Sequence, residues 1–163
     1  MEIMTSPIPK AAVIFLTLLL AFDSATARCI MTPGETLRSG HSLSSGNSRL
    51  TMEKNCDLVI YHNKIKIWSS QSAQNGKTCF LYLQHTGVLS IVTNDDASDE
   101  VWKSHRTVPA HPNFYSINFV LEPNGVATIF SNSRKIGHCR VNGIPVWSTA
   151  QLPEASDEQK RNP

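Results

Sequence analysis

The chain has 163 residues with 15 basic against 13 acidic side chains, a formal net charge of +2. The slight, unclustered excess excludes the basic stripe that a nucleic-acid-binding surface needs. The length suits one domain once any leader is set aside.

The first predicted element is a leader. Lys10 precedes an apolar run from Ala11 to Phe22, and Ala25-Thr26-Ala27 supplies the small residues at which a signal peptidase cuts. The run is too short to span a bilayer, which takes about 20 residues. Residues 1–27 therefore read as a secretory signal rather than a membrane anchor, and no membrane partner is expected. The remaining chain of roughly 136 residues carries a net charge of about +3. All four cysteines, Cys29, Cys56, Cys79 and Cys139, follow the leader. An even count in a secreted chain predicts two disulfides, and four cysteines allow three pairings. No Cys-x-x-Cys or His-x3-His spacing occurs, so a zinc site is not expected.

The stretch from Leu50 to Tyr61 alternates strictly. Leu50 and Met52 share one face with Leu58 and Ile60; Glu53, Asp57, Val59 and Tyr61 take the other. The polar break Lys54-Asn55 suits a turn between two strands. One face of this hairpin can be buried. The other sets acceptors, an amide and a phenol hydroxyl around a small apolar spot, which is what a sugar's hydroxyls and C–H face require. An ordinary solvated strand face has the same pattern.

Two further copies follow. The marker of each is a β-branched residue, Trp, and a hydroxyl within two positions: Ile67-Trp68-Ser69, Val101-Trp102-Lys103-Ser104 and Val146-Trp147-Ser148. Each follows a short apolar strand, at 58–61, 89–92 and 127–130. Repeated short strands bury their apolar faces against one another, and the tryptophans are expected to pack in the core rather than bind. Asn75-Gly76, Asn124-Gly125 and Asn142-Gly143 are hairpin-type dipeptides, and Thr86-Gly87 does similar work. No helical periodicity appears beyond the leader, so the fold class is all-β.

The segment Glu53-x-Asn55-x-Asp57-x-Val59-x-Tyr61 resembles the Gln-x-Asp-x-Asn-x-Val-x-Tyr signature of the bulb-type (monocot mannose-binding) lectins. Cys56 within it, the upstream run Gly34-Glu35-Thr36-Leu37 with Gly40, Leu43 and Gly46, and the strand Ile67-Trp68-Ser69 fit the same family. The resemblance implies a lectin domain over 28–150 with a β-prism II fold, three four-stranded antiparallel sheets around a pseudo-threefold axis with the tryptophans near the centre. It implies a disulfide between Cys56 and Cys79; Cys29 and Cys139 are then expected to bond to each other, with an intermolecular bond as the alternative. It implies a sugar site of Glu53, Asn55, Asp57, Val59 and Tyr61, mannose-containing glycans as partners and a homodimer formed by strand exchange. Three motif positions differ: Glu53 stands for Gln, Asn55 for Asp and Asp57 for Asn. Glu53 can only accept where Gln could also donate, so binding that is weaker or shifted in preference is expected.

The second copy keeps Gln84 but has Thr86, Val88, Ser90 and Val92 at the following motif positions; the third has Glu122, Asn124, Val126, Thr128 and Phe130. Both lack the Asn amide and the phenol hydroxyl. Each unpaired polar group costs about 1–3 kcal/mol, so two losses cost about two to four decades of affinity, and neither copy is expected to bind mannose. The acidic run from Asn94 to Glu100 lacks calcium-loop spacing and reads as a solvated loop. The stretch 131–144, basic at Arg134, Lys135 and Arg140, reads as a surface connector. Residues 151–163 read as a disordered tail or removable propeptide.

No nucleophile motif accompanies the six histidines. Glu53 and Asp57 are the minimum pair a glycosidase needs, but nothing in the sequence supplies burial, and no enzyme, cofactor or metal is expected. The reading is a secreted carbohydrate-binding protein, located outside the cell or in the vacuole, with at most one altered site. The alternative is a lectin-like protein without sugar binding that acts through protein contacts in defence, storage or taste modification.

Overall fold

The computed structural model describes residues 28–93, 99–105 and 116–150. The leader, residues 94–98 of the acidic run and the tail 151–163 lie outside the described residues. Among the described residues, twelve strands form three four-stranded antiparallel sheets. The first sheet runs β1 (Ile30–Met31), β10 (Ile117–Leu121), β11 (Ala127–Gly137), β12 (Arg140–Ser148). The second runs β2 (Thr36–Arg38), β7 (Cys79–Leu83), β8 (Leu89–Thr93), β9 (Glu100–Lys103). The third, which carries the signature segment, runs β3 (Ser42–Ser45), β4 (Ser48–Met52), β5 (Leu58–His62), β6 (Ile65–Ser69). No helix occurs among the described residues.

The period-2 pattern explains the prism. Each sheet sends one registered row of apolar side chains inward, and each row ends on a tryptophan. The rows are Met31–Phe119–Ile129–Trp147, Leu37–Leu81–Ile91–Trp102 and Leu43–Leu50–Ile60–Trp68. Most of these side chains are fully buried in one core. The three indoles meet edge to face, with centroids 6.2, 6.1 and 6.0 Å apart, the arrangement that aromatic quadrupoles prefer. They pack against the core, as expected.

The threefold repeat extends to the backbone. A register shift follows the inward residue of the middle strand in every sheet, after Ile60, Ile91 and Ile129. A hydroxyl two residues beyond each tryptophan closes the unit. Ser70, Ser104 and Thr149 accept from the backbone N–H of Leu58, Leu89 and Ala127 at 2.9, 2.9 and 3.0 Å. The hydroxyl directly after the tryptophan, Ser69 or Ser148, is not the repeated element; the second position is.

Both expected disulfides are present. Cys56–Cys79 joins the third sheet to the second, and Cys29–Cys139 ties the start of the domain to the β11–β12 hairpin.

Two expectations in this hairpin need correction. Asn142-Gly143 is not a turn but lies inside β12; the chain reverses at His138-Cys139, where Cys139 takes a φ of 55°. Gly143 is needed for closeness instead. A Cβ there would lie 2.8 Å from Ser133 Cβ and 2.9 Å from the Ser131 carbonyl. The stretch 131–144 is accordingly a paired extension of two long strands and not a connector. Its tip reaches over the outer face of the first sheet, so that Ile136, Arg140 and Val141 share a cleft with Glu122 and Phe130.

Candidate functional site

The outer face of the third sheet follows from the same alternation. With Leu43, Leu50, Met52 and Ile60 inside, the neighbours Ser42, Ser44, Arg49, Thr51, Val59 and Tyr61 must face out. Cross-strand register sets them in rows: Ser44–Arg49–Tyr61 and Ser42–Thr51–Val59–Ser69. Ser42 and Thr51 share a hydrogen bond of 2.9 Å between hydroxyls. Glu53 follows on the same face of the chain.

Of the five predicted residues, Glu53 and Tyr61 face a surface cleft of about 800 Å³, within the range of small-ligand sites. The Tyr61 hydroxyl donates to Glu53 Oε1 at 3.1 Å. That leaves the phenol oxygen's lone pairs and Glu53 Oε2 to accept from a ligand. Burial, the hydrogen bond to Glu53 and the nearby charges of Glu53 and Asp57 all raise the tyrosine's pKa, so it stays a neutral donor. Ser42, Thr51, Arg49 and Lys64 line the same cleft.

Asn55, Asp57 and Val59 do not line it. Asn55 Oδ1 accepts from the Asp57 backbone N–H at 3.1 Å, which fixes the β4–β5 turn and leaves the amide nitrogen exposed. Asp57 is 7% exposed, and its carboxylate faces the chain after β6. Ser69 Oγ donates to Oδ2 at 2.7 Å, Ser70 Oγ to Oδ1 at 3.0 Å and the Ser72 N–H to Oδ1 at 3.3 Å. Lys66 Nζ adds a longer ion pair at 3.4 Å. Burial alone would raise this carboxyl's pKa; the Ser69 and Ser70 hydroxyls, the Ser72 amide and Lys66 outweigh it and hold the group below its ordinary value. Val59, 2% exposed, offers almost no surface for a sugar ring. The half-buried Tyr61 ring supplies apolar surface in its place.

The two other copies are built differently. Gln84 Nε2 donates to Ser90 Oγ at 2.8 Å, and Ser90 donates to Glu100 at 2.8 Å, so the surviving glutamine is tied within its own sheet. In the third copy Thr128 pairs with Ser148 at 3.1 Å, and the β11–β12 tip shares the space beside Phe130. Neither outer face carries a phenol at the position of Tyr61. Sequence reasoning missed Arg49, Thr51, Lys64 and Ser42. The first three were within reach, since Arg49-x-Thr51-x-Glu53 continues the outward alternation in strand β4 and Lys64 lies in the turn after Tyr61.

The candidate metal-ligating cluster among the described residues, Cys29, His138 and Cys139, contains the disulfide. Its sulfurs are not thiolates and are no metal ligands.

No family model matches the chain. It is 37% identical over 90 residues to Curculin-2 of Molineria latifolia, covering 53% of this chain and 57% of that one. It is 35% identical over 100 residues to mannose-specific lectin 2 of Colocasia esculenta, covering 61% of this chain and 35% of the other. The chain therefore spans about half the length, or less, of these curated relatives. The snowdrop (Galanthus nivalis) mannose-specific agglutinin, solved with methyl-α-D-mannoside, superposes with a TM-score of 0.56 at 24% identity, over 70% of this chain and 99% of that one. This likeness concerns the fold, a β-prism II.

Proposed function

We propose, from the premise that this chain belongs to the bulb-type lectin family, that it is a secreted sugar-binding protein with one working site, on the outer face of the third sheet. The observation that carries the reading is the Tyr61–Glu53 pair, a donor already oriented by its acceptor, opening onto an 800 Å³ cleft walled by hydroxyls. A hydroxyl pair of a sugar can donate to Glu53 Oε2 and the Tyr61 oxygen, and the tyrosine ring meets the sugar's C–H face. Mannose-containing glycans are the expected class, because relatives carry that specificity in their names. The internal engagement of Asp57 supports binding that is weaker than, or shifted from, that of an intact motif. The apolar leader and two disulfides support passage through the secretory pathway. Relatives named as lectins support a protein that binds sugar rather than one that catalyses.

A second reading is a lectin-like protein that works through protein contacts. The large exposed isoleucines, Ile65, Ile67, Ile136 and Ile144, favour it. Retention on immobilised mannan separates the two. Sugar binding requires retention of the native chain and its loss in Tyr61→Phe, which keeps the ring and removes the hydroxyl. Absence of retention on mannan and across a broad glycan panel would leave the protein-contact reading.

A further inference from the structure

The cleft on the third sheet is charged at one end. Arg49 lies directly across from Tyr61 in the β4–β5 register, and Lys64 occupies the two-residue turn between β5 and β6. Both are exposed, both line the cleft, and neither side chain has an ion-pair or hydrogen-bond partner among the described residues. Lys66, the cation within strand β6, behaves otherwise and is paired with Asp57. Glu53, the acid of the cleft, lies four residues on from Arg49, just past the end of β4, about 13 Å by strand rise, and already accepts from Tyr61. The cleft thus has a cationic end beside the turn, an acceptor end at Glu53, and hydroxyls between them.

The turn itself points the same way. Asn63 and Lys64 both adopt left-handed backbone, with φ of 50° and 67°. Such a two-residue hairpin turn favours Asn followed by Gly. A lysine in the second position is strained, and strain of this kind collects where a side chain has work to do. The Asn63 N–H donates to the Asn47 carbonyl at 3.1 Å, which holds the turn against the β3–β4 turn and keeps Lys64 at the cleft mouth.

We infer that this cleft selects an anionic saccharide, its carboxylate or sulfate seated on Arg49 and Lys64 and its hydroxyls on Glu53 and Tyr61. The inference rests on the sugar-binding reading above and names the ligand class of that same site. An arginine fork pairs a carboxylate in two parallel hydrogen bonds and a lysine supplies a point charge. A uronic acid unit therefore fits the cationic end better than a neutral hexose does.

The test is calorimetric titration of the folded chain with four oligosaccharides of equal length: an oligouronate, its methyl ester, a sulfated oligomer and a neutral mannose oligomer. The uronate should bind about tenfold tighter than its ester, the effect of one charge-assisted hydrogen bond. The margin should shrink as salt rises from 50 to 300 mM, since the groups are exposed and screened. Binding of the sulfated oligomer as tight as the uronate would assign the effect to charge rather than to the planar fork, and would still support the anionic class. Arg49→Ala with Lys64→Gly should abolish the margin between the uronate and its ester. Lys64→Gly alone should also raise the melting temperature by relieving the turn. A uronate that binds no tighter than its ester, or a margin that survives in the double variant, would overturn the inference and leave the sugar site standing. Failure of all four oligomers to bind would remove the sugar-binding reading and this one with it.

Discussion

Replacing Asp57 by alanine strips the shared acceptor from a group of converging donors. Three hydrogen bonds converge on it, from Ser69, Ser70 and the Ser72 N–H. Each bond to a charged acceptor is worth about 1.5–3 kcal/mol in isolation, but the losses do not sum. Ser69 is half-buried and reaches water. Ser70 Oγ keeps its bonds to the Leu58 N–H and Ser72 Oγ. Only the Ser72 N–H, in a residue 7% exposed, becomes an orphan. Lys66 adds little, being half exposed. The net cost is about 3 kcal/mol, or roughly 10 °C in melting temperature for a domain of this size. The pH dependence carries the sign. The folded carboxyl is held below its ordinary value of 3.8, so its contribution is complete above that value and is lost as pH falls through the folded pKa. Thermal melts of native and Asp57→Ala protein should differ by a constant amount from about pH 7 to pH 5, and the gap should narrow progressively as pH falls below about 4. Glu35 and Glu100, whose carboxyls are also held low, titrate in both proteins and cancel in the difference. A gap under 2 °C at pH 7, or one that persists unchanged to pH 2.5, would refute the view that Asp57 serves chiefly as a structural acceptor.

The disulfides should differ in weight. Opening Cys29–Cys139, with a separation of 110 residues, should cost about 4.7 kcal/mol, against about 3.5 kcal/mol for Cys56–Cys79 at 23; denaturant melts of the two double-alanine variants give the order. Trp102→Ala breaks the triangle of indoles and should destabilise by about 3 kcal/mol, read by thermal melting, with any binding at the third sheet unchanged in the variant that remains folded. Gly143→Ala should cost about 1–3 kcal/mol, because the new methyl meets the β11 backbone at Ser131 and Ser133; the same melt checks it.

The inward side of the third sheet was legible because Leu50, Met52, Leu58 and Ile60 alternate with outward residues, and the core placement of the tryptophans because one recurs in every copy. The threefold architecture followed from that pattern and from the family resemblance. The β11–β12 extension was not legible. Asn-Gly is the strongest short hairpin signal, yet at 142–143 its glycine serves a close approach between strands, and pattern alone cannot separate the two uses. The Asn63-Lys64 turn was missed for the opposite reason: a lysine occupies the left-handed position, so no turn dipeptide marked it. In the cleft, Glu53 and Tyr61 come together because they share the outward face of the chain. The fate of Asp57 was hidden, since Ser69, Ser70 and Ser72 reach it only after β5 and β6 pair. Val59 alternates outward as expected, but its burial depends on the side chains that lie over it, which spacing does not report.

Diffraction from crystals soaked in a mannose oligomer or an oligouronate tests the proposed sugar site most directly. The account predicts a sugar ring bounded by Glu53 and Tyr61 on the outer face of β4 and β5, with the faces of the other two sheets bare. Density beside Gln84 or Phe130 instead, or none at saturating ligand, would contradict it.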